Sequence, residues 1–140
     1  MAEYVNFHFD IDGENFTSAG EASVRIKKNL REMGFTPETI RRVSVAMYEG
    51  EINMVIHANG GTADVNIFCD RIEIILADKG PGISDIELAM QEGYSTAPED
   101  VRSLGFGAGM GLPNMKRYTD DMKIESQVGV GTTIYMTVLV

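Results

Sequence analysis

Cysteine is nearly missing from this chain of 140 residues, where Cys69 stands alone. One thiol allows no internal disulfide and offers no cysteine framework for a metal. Cys69 continues an apolar alternation, so it is expected as a buried, inert thiol of a strand. Basic residues are scarce too, 12 against 21 acidic ones, for a formal charge of −9. That balance argues against a nucleic-acid partner, which needs a basic surface. No apolar run approaches the roughly 20 residues that cross a bilayer. The leading stretch MAEYVNFHFD has neither the basic head nor the long apolar segment of a secretory signal. No membrane association and a cytoplasmic location are therefore expected. Repeats and linker-like composition are absent as well, so residues 1–140 read as one domain. With 44% apolar and 24% charged residues, the chain can enclose a core.

Period-two alternation of Val5, Phe7, Phe9 and Ile11 predicts a half-buried strand, whose apolar edge could serve as an interface. Asp10, Asp12 and Gly13 make a turn, because the later ligands of a calcium loop are missing. Ser18 and Glu21 have capping-box spacing for a helix running to about Met33, closed by Gly34. Thr36-Pro37 reads as the N-cap and first residue of a second helix, which Asn59-Gly60-Gly61 stops. Strands over 62–70 and 71–78 form an antiparallel hairpin through Asp70-Arg71. A short helix is expected near Asp85 to Met90. Residues 91–108 are polar or glycine-rich without a period, the pattern of a lid. A helix from Gly109 to about Thr119 and strands over 122–127 and 132–140 complete the chain. The order predicts an α/β two-layer sandwich, a mixed but mostly antiparallel sheet with three main helices on one face.

The most informative stretch is VSVAMYEGEINMVIHA, residues 43–58. Glu49, Asn53 and His57 recur every four residues and so line one stripe of a helix. Ile40, Val43, Met47, Met54 and Ala58 form the core-facing stripe, and Tyr48, Ile52 and Val55 a further apolar strip. Gly80 and Gly82 follow a strand ending in Asp78, a turn that lets a flat ligand approach the backbone while the carboxylate accepts from an exocyclic amine. Gly105, Gly107, Gly109 and Gly111 lead into a helix start, where free N–H groups favour phosphates. Between these ends, Asn53 suits a Mg²⁺ ion and Glu49 a general base. A P-loop is excluded because GxxxxGK[ST] does not occur, and a Rossmann turn because no strand precedes the glycines.

Taken in order, Glu49-x-x-x-Asn53-x-x-x-His57, Asp78-x-Gly80-x-Gly82-Ile83, Gly109-x-Gly111-Leu112 and Gly131-Thr132-Thr133 resemble the N, G1, G2 and terminal boxes of the GHKL ATPase superfamily. The likeness runs from about residue 37 to the C-terminus. It is strongest to the serine-protein kinases of bacterial partner switching, the anti-sigma factors and stressosome switch kinases. Gly93-Tyr94-Ser95-Thr96 and Gly111-Leu112-Pro113-Asn114-Met115-Lys116-Arg117 resemble the switch-kinase branch. The resemblance implies a Bergerat-type ATPase fold binding ATP and Mg²⁺, with Glu49 as base, Asn53 as metal ligand and Asp78 as adenine acceptor. It implies Gly80, Gly82 and Ile83 at the adenine pocket, Gly109, Met110, Gly111 and Leu112 at the phosphates, and Thr133 beside Asp78. It implies a serine/threonine-protein kinase for a STAS-domain regulatory protein, with a sigma factor as a further partner and homodimers as the common state. The alternative is a nucleotide-dependent binding module without transfer. A histidine-kinase catalytic domain ranks last, since no long dimerisation helix with a phospho-acceptor histidine is present.

Gly50 departs from the alanine of many relatives, and a glycine inside a helix costs about 1 kcal/mol. Glu51 is a second acid beside Glu49, and only the spacing to Asn53 selects between them. His57 is read as a helix-end residue, and Lys116 and Arg117 as a solvated helix end. Arg102 is a candidate phosphate or substrate contact in the lid. Met33, Met90 and Met115 are candidates for exposure among nine methionines.

Overall fold

A computed structural model describes residues 3–13, 20–58, 60–83, 86, 90 and 111–140. In chain order the elements are β1 (Val5–Asp12), α1 (Glu21–Glu32), α2 (Pro37–Ala58), β2 (Gly60–Ile67), β3 (Arg71–Asp78), α3 (Gly111–Arg117), β4 (Asp121–Gln127) and β5 (Gly131–Leu139). The strands make one sheet in the order β1-β2-β3-β5-β4. Every pairing is antiparallel, so the parallel contribution of a mixed sheet does not occur among the described strands. The register explains this at the first pair: Asp12, ending β1, lies opposite Gly60, opening β2. The excursion through α1 and α2 thus returns the chain to the end of the sheet that it left.

Alternation sorts each strand into two faces. Val65, Ile72, Ile74, Leu76, Met136 and Val138 are buried under the helices, while Lys123, Glu125 and Tyr135 are exposed. Each fully buried aliphatic side chain contributes about 1.5–3 kcal/mol. Ile26 and Leu30 of α1, Val43 and Met47 of α2 and Met115 of α3 close the layer from above. Of the methionines that could have been exposed, Met115 is core, whereas Met33 is 44% exposed.

Local chemistry sets the helix limits. Thr36 Oγ1 accepts the Thr39 N–H at 3.3 Å, and Pro37 occupies the first position of α2 as expected. At the end of α1, Phe35 N–H reaches Leu30 O and Gly34 N–H reaches Arg31 O, with Gly34 at φ +86°. That pair of bonds is a Schellman cap. The start of α1 differs from expectation. Gly20 occupies the N-cap without a side-chain cap, and Ser18 lies outside the described residues.

Two further readings change. The β2 alternation does not extend to Cys69, because Phe68 N–H bonds Arg71 O at 2.9 Å and closes a turn over Cys69 and Asp70. The thiol is exposed. Gly50 has a packing reason: a methyl there would land on Leu76 Cδ1 and 3.3 Å from Met115 Sδ. The missing side chain lets α2 sit close to both β3 and α3.

Candidate functional site

One half of the site is stitched together where β3 and β4 end and β5 begins. Asp78 Oδ1 accepts the N–H of Gly80 at 2.9 Å and that of Thr132 at 3.2 Å. Among the described residues its second oxygen takes no hydrogen bond. The Ile83 N–H donates to Ser126 Oγ at 2.7 Å, and Ser126 Oγ lies 2.8 Å from Thr132 Oγ1. Ser126 thereby holds the turn after β3 against the start of β5. Gly82 is required here, since it has φ +80° and a Cβ would approach Gln127 O to 2.5 Å. The Gly129 N–H donates to Pro81 O at 2.9 Å and fastens the same turn to the β4–β5 connection.

The other half lies along α2. Gly111, opening α3, packs so close to Asn53 that a Cβ would stand 2.8 Å from Asn53 Nδ2. One turn further on, Asn114 Nδ2 donates to Glu49 Oε1 at 3.3 Å. Arg41 then reaches Tyr118 OH, and Arg42 reaches Tyr118 O and Asp120. Residue numbers rise along α3 as they fall along α2, so the two helices run antiparallel. Glu49 and Asn53 are half-buried in this seam. Among the described residues the Asn53 carboxamide makes no hydrogen bond. The two halves are joined by α2 itself, because a Cβ at Gly80 would touch Ala58 Cβ at 2.6 Å. From Ala58 back to Asn53 is five residues, about 7.5 Å of helix axis.

Glu51 plays a different part from Glu49. Turned to the opposite flank of α2 and 2% exposed, it accepts the N–H groups of Gly20 at 2.8 Å, Ala22 at 3.3 Å and Ser23 at 2.9 Å. It is the cap of α1, contributed by another helix. Burial pushes its carboxyl above the usual range, and the three backbone bonds oppose that rise. A cavity of about 290 Å³ on that flank, lined by His8, Asp10, Arg25 and Glu51, is separate from the Glu49–Asn53 seam.

Glu49, Asn53 and Gly111 are thus brought together, and Asp78, Gly80, Gly82 and Ile83 form the adjoining turn. Leu112 comes to the seam only through its backbone, its side chain being buried in the core. Thr133 is corrected: it pairs with Ala77, and Thr132 pairs with Asp78. Strand alternation turns Thr133 to the outer face and leaves Thr132 buried beside Asp78. Gly109, Met110, Arg102 and the expected lid lie outside the described residues, as does the side chain of His57. Reading the sequence missed Ser126, Thr132, Asn114 and the role of Glu51. The hairpin signal Val128-Gly129-Val130-Gly131 could have placed Ser126 near Thr132, while nothing local pairs Asn114 with Glu49.

A family model described as a histidine kinase-like ATPase domain matches residues 15–138. The chain is 34% identical over 118 residues to the serine/threonine-protein kinase RsbT of Bacillus subtilis, covering 81% of this chain and 83% of that protein. It is 35% identical over 120 residues to the anti-sigma F factor of Clostridium acetobutylicum, covering 82% and 80%. The crystal structure of the RsbU and RsbW domains of Rv1364c from Mycobacterium tuberculosis superposes with a TM-score of 0.64 at 17% identity, covering 96% of this chain and 32% of that one.

Proposed function

The chain belongs to the histidine kinase-like ATPase domain family, and from that premise we propose that it is a Mg-ATP-dependent serine/threonine-protein kinase for a STAS-domain regulatory protein. The observation that carries this reading is the seam in which the Glu49 carboxylate meets Asn114 of α3 and the Asn53 carboxamide, without a hydrogen bond among the described residues, meets Gly111. The residues fit the nucleotide. Asp78 keeps one carboxylate oxygen for the adenine amine, and Asn53 offers its carboxamide oxygen to Mg²⁺. The backbone from Gly109 to Leu112 would lie along the phosphates. When bound, Mg-ATP supplies the phosphoryl group and the charge that offsets it. Glu49 orients the incoming serine or threonine hydroxyl and takes its proton. The likeness to a serine/threonine-protein kinase supports the same assignment. A sigma factor as second partner, a homodimer formed through the β1 edge and a cytoplasmic location complete the proposal.

Glu49→Ala is the test. Calorimetry should still record Mg-ATP binding, while phosphorylation of the STAS-domain partner, followed by mass spectrometry, falls at least about 100-fold. Undiminished transfer removes Glu49 from its role. The anti-sigma F likeness favours one other reading, sequestration of a regulator without transfer. ATP-dependent co-purification with no phosphoprotein would select it.

A further inference from the structure

We propose that Asn114 is a positioning residue for Glu49 and is itself aligned by Arg117. The proposal rests on the kinase reading above, in which Glu49 is the base. Asn114 donates through Nδ2 to Glu49 Oε1 at 3.3 Å and accepts through Oδ1 from Arg117 Nη1 at 3.5 Å. A carboxamide has one donor end and one acceptor end, whereas a guanidinium only donates. Arg117 therefore takes the oxygen of Asn114 and turns its nitrogen toward Glu49. The spacing of three residues puts Asn114 and Arg117 on one face of α3.

The consequence concerns which carboxylate oxygen is free. With Oε1 held by Asn114, Oε2, which takes no hydrogen bond among the described residues, is left for the incoming hydroxyl. Near-attack geometry is sensitive at this scale, since a 1 Å displacement costs on the order of 100-fold in rate. Gly111 and Asn114 also place the contacts to Asn53 and Glu49 on one short helix. Metal ligand and base then move as a unit with α3.

Release of ADP from Mg-ATP by the purified full chain, with the STAS-domain protein present as phosphoryl acceptor, is the measurement. Asn114→Asp keeps the size of the side chain but exchanges the donor for a carboxylate oxygen. It should lower kcat about tenfold while KM for ATP and the melting temperature hold. Asn114→Gln keeps a donor and should recover most of that loss. An Asn114→Asp chain at the wild-type rate, or one whose rate falls only in step with its melting temperature, overturns the positioning role. A second readout is independent of turnover: the side-chain amide resonance of Asn114 should move in Glu49→Ala. If it stays while the wild type binds Mg-ATP, this proposal fails alone. If calorimetry finds no Mg-ATP binding to the wild type, the kinase reading fails and takes the proposal with it.

Discussion

Glu49 and Glu51 stand two residues apart on α2, and the helix sends them to opposite flanks. One meets α3 across the seam with Asn114; the other is sealed under the start of α1. Removing the second leaves backbone donors buried without an acceptor, so Glu51→Ala should cost about 2–4 kcal/mol in urea unfolding. Glu51→Gln, retaining one acceptor oxygen, should cost about 1–2 kcal/mol. The pH dependence has a definite sign. The folded carboxyl of Glu51 is raised above 4.5, first by desolvation. Its contribution is thus fully present below about 4.5 and declines as pH rises through the raised folded value. The stability gap between wild type and Glu51→Gln should narrow across that window, and a gap that widens would contradict the assignment. At this scale the sequence was only partly legible. Asp78, Gly82, Glu49 and Asn53 could be located because their signals are local. The capping role of Glu51 could not be read, since its donors lie 28–31 residues away. Thr132 could not be separated from Thr133, since only strand register decides which of two adjacent threonines faces inward.

Helix α2 was readable almost to the residue because its signals lie inside it or next to it: Thr36 and Pro37 at one end, glycines beyond the other, and apolar periodicity between. Helix α3 was less so, because its meaning depends on what it packs against. Its antiparallel seam with α2 sets Gly111 against Asn53, Asn114 against Glu49 and Tyr118 against Arg41. A Cβ at Gly111 would stand 2.8 Å from Asn53 Nδ2, so a side chain there must displace the carboxamide of Asn53. Gly111→Ala should weaken Mg-ATP binding at least about tenfold, a loss of about 1.4 kcal/mol. The melting temperature of the nucleotide-free chain should change little, because the added methyl meets a half-buried polar group and not the core. Wild-type affinity in that variant would show that the seam opens freely and that Asn53 is not held where the reading needs it. A hairpin such as β2–β3 shows the complementary limit. The alternation marked both strands, but the turn moved one residue earlier, since the chain has to reverse somewhere and periodicity alone does not say where.

The molecule as a whole carries a charge of −9, which repels a polyphosphate unless a cation accompanies it. Its site, moreover, is assembled from separate parts: the ends of β3 and β5, the length of α2 and the start of α3. A ligand spanning those parts binds only the folded chain and must stabilise it as a unit. At a Mg-ATP concentration about 100 times Kd the gain is about 2.7 kcal/mol. For a chain of this size that raises the melting temperature by about 10 °C. Chelating Mg²⁺ should remove most of the rise, because the bare nucleotide then meets both the global charge and the Glu49 carboxylate. Glu49→Ala should keep the rise in full, since the proposed function gives Glu49 the transfer step and not the holding of ATP. Asp78→Asn separates the two ends. It retains an oxygen for the N–H groups of Gly80 and Thr132 but presents a donor where the adenine amine needs an acceptor, so the fold stays and the rise should vanish. If Asp78→Asn is stabilised as strongly as the wild type, the nucleotide does not lie along α2 with its base at the end of β3, however well the seam at Glu49 behaves.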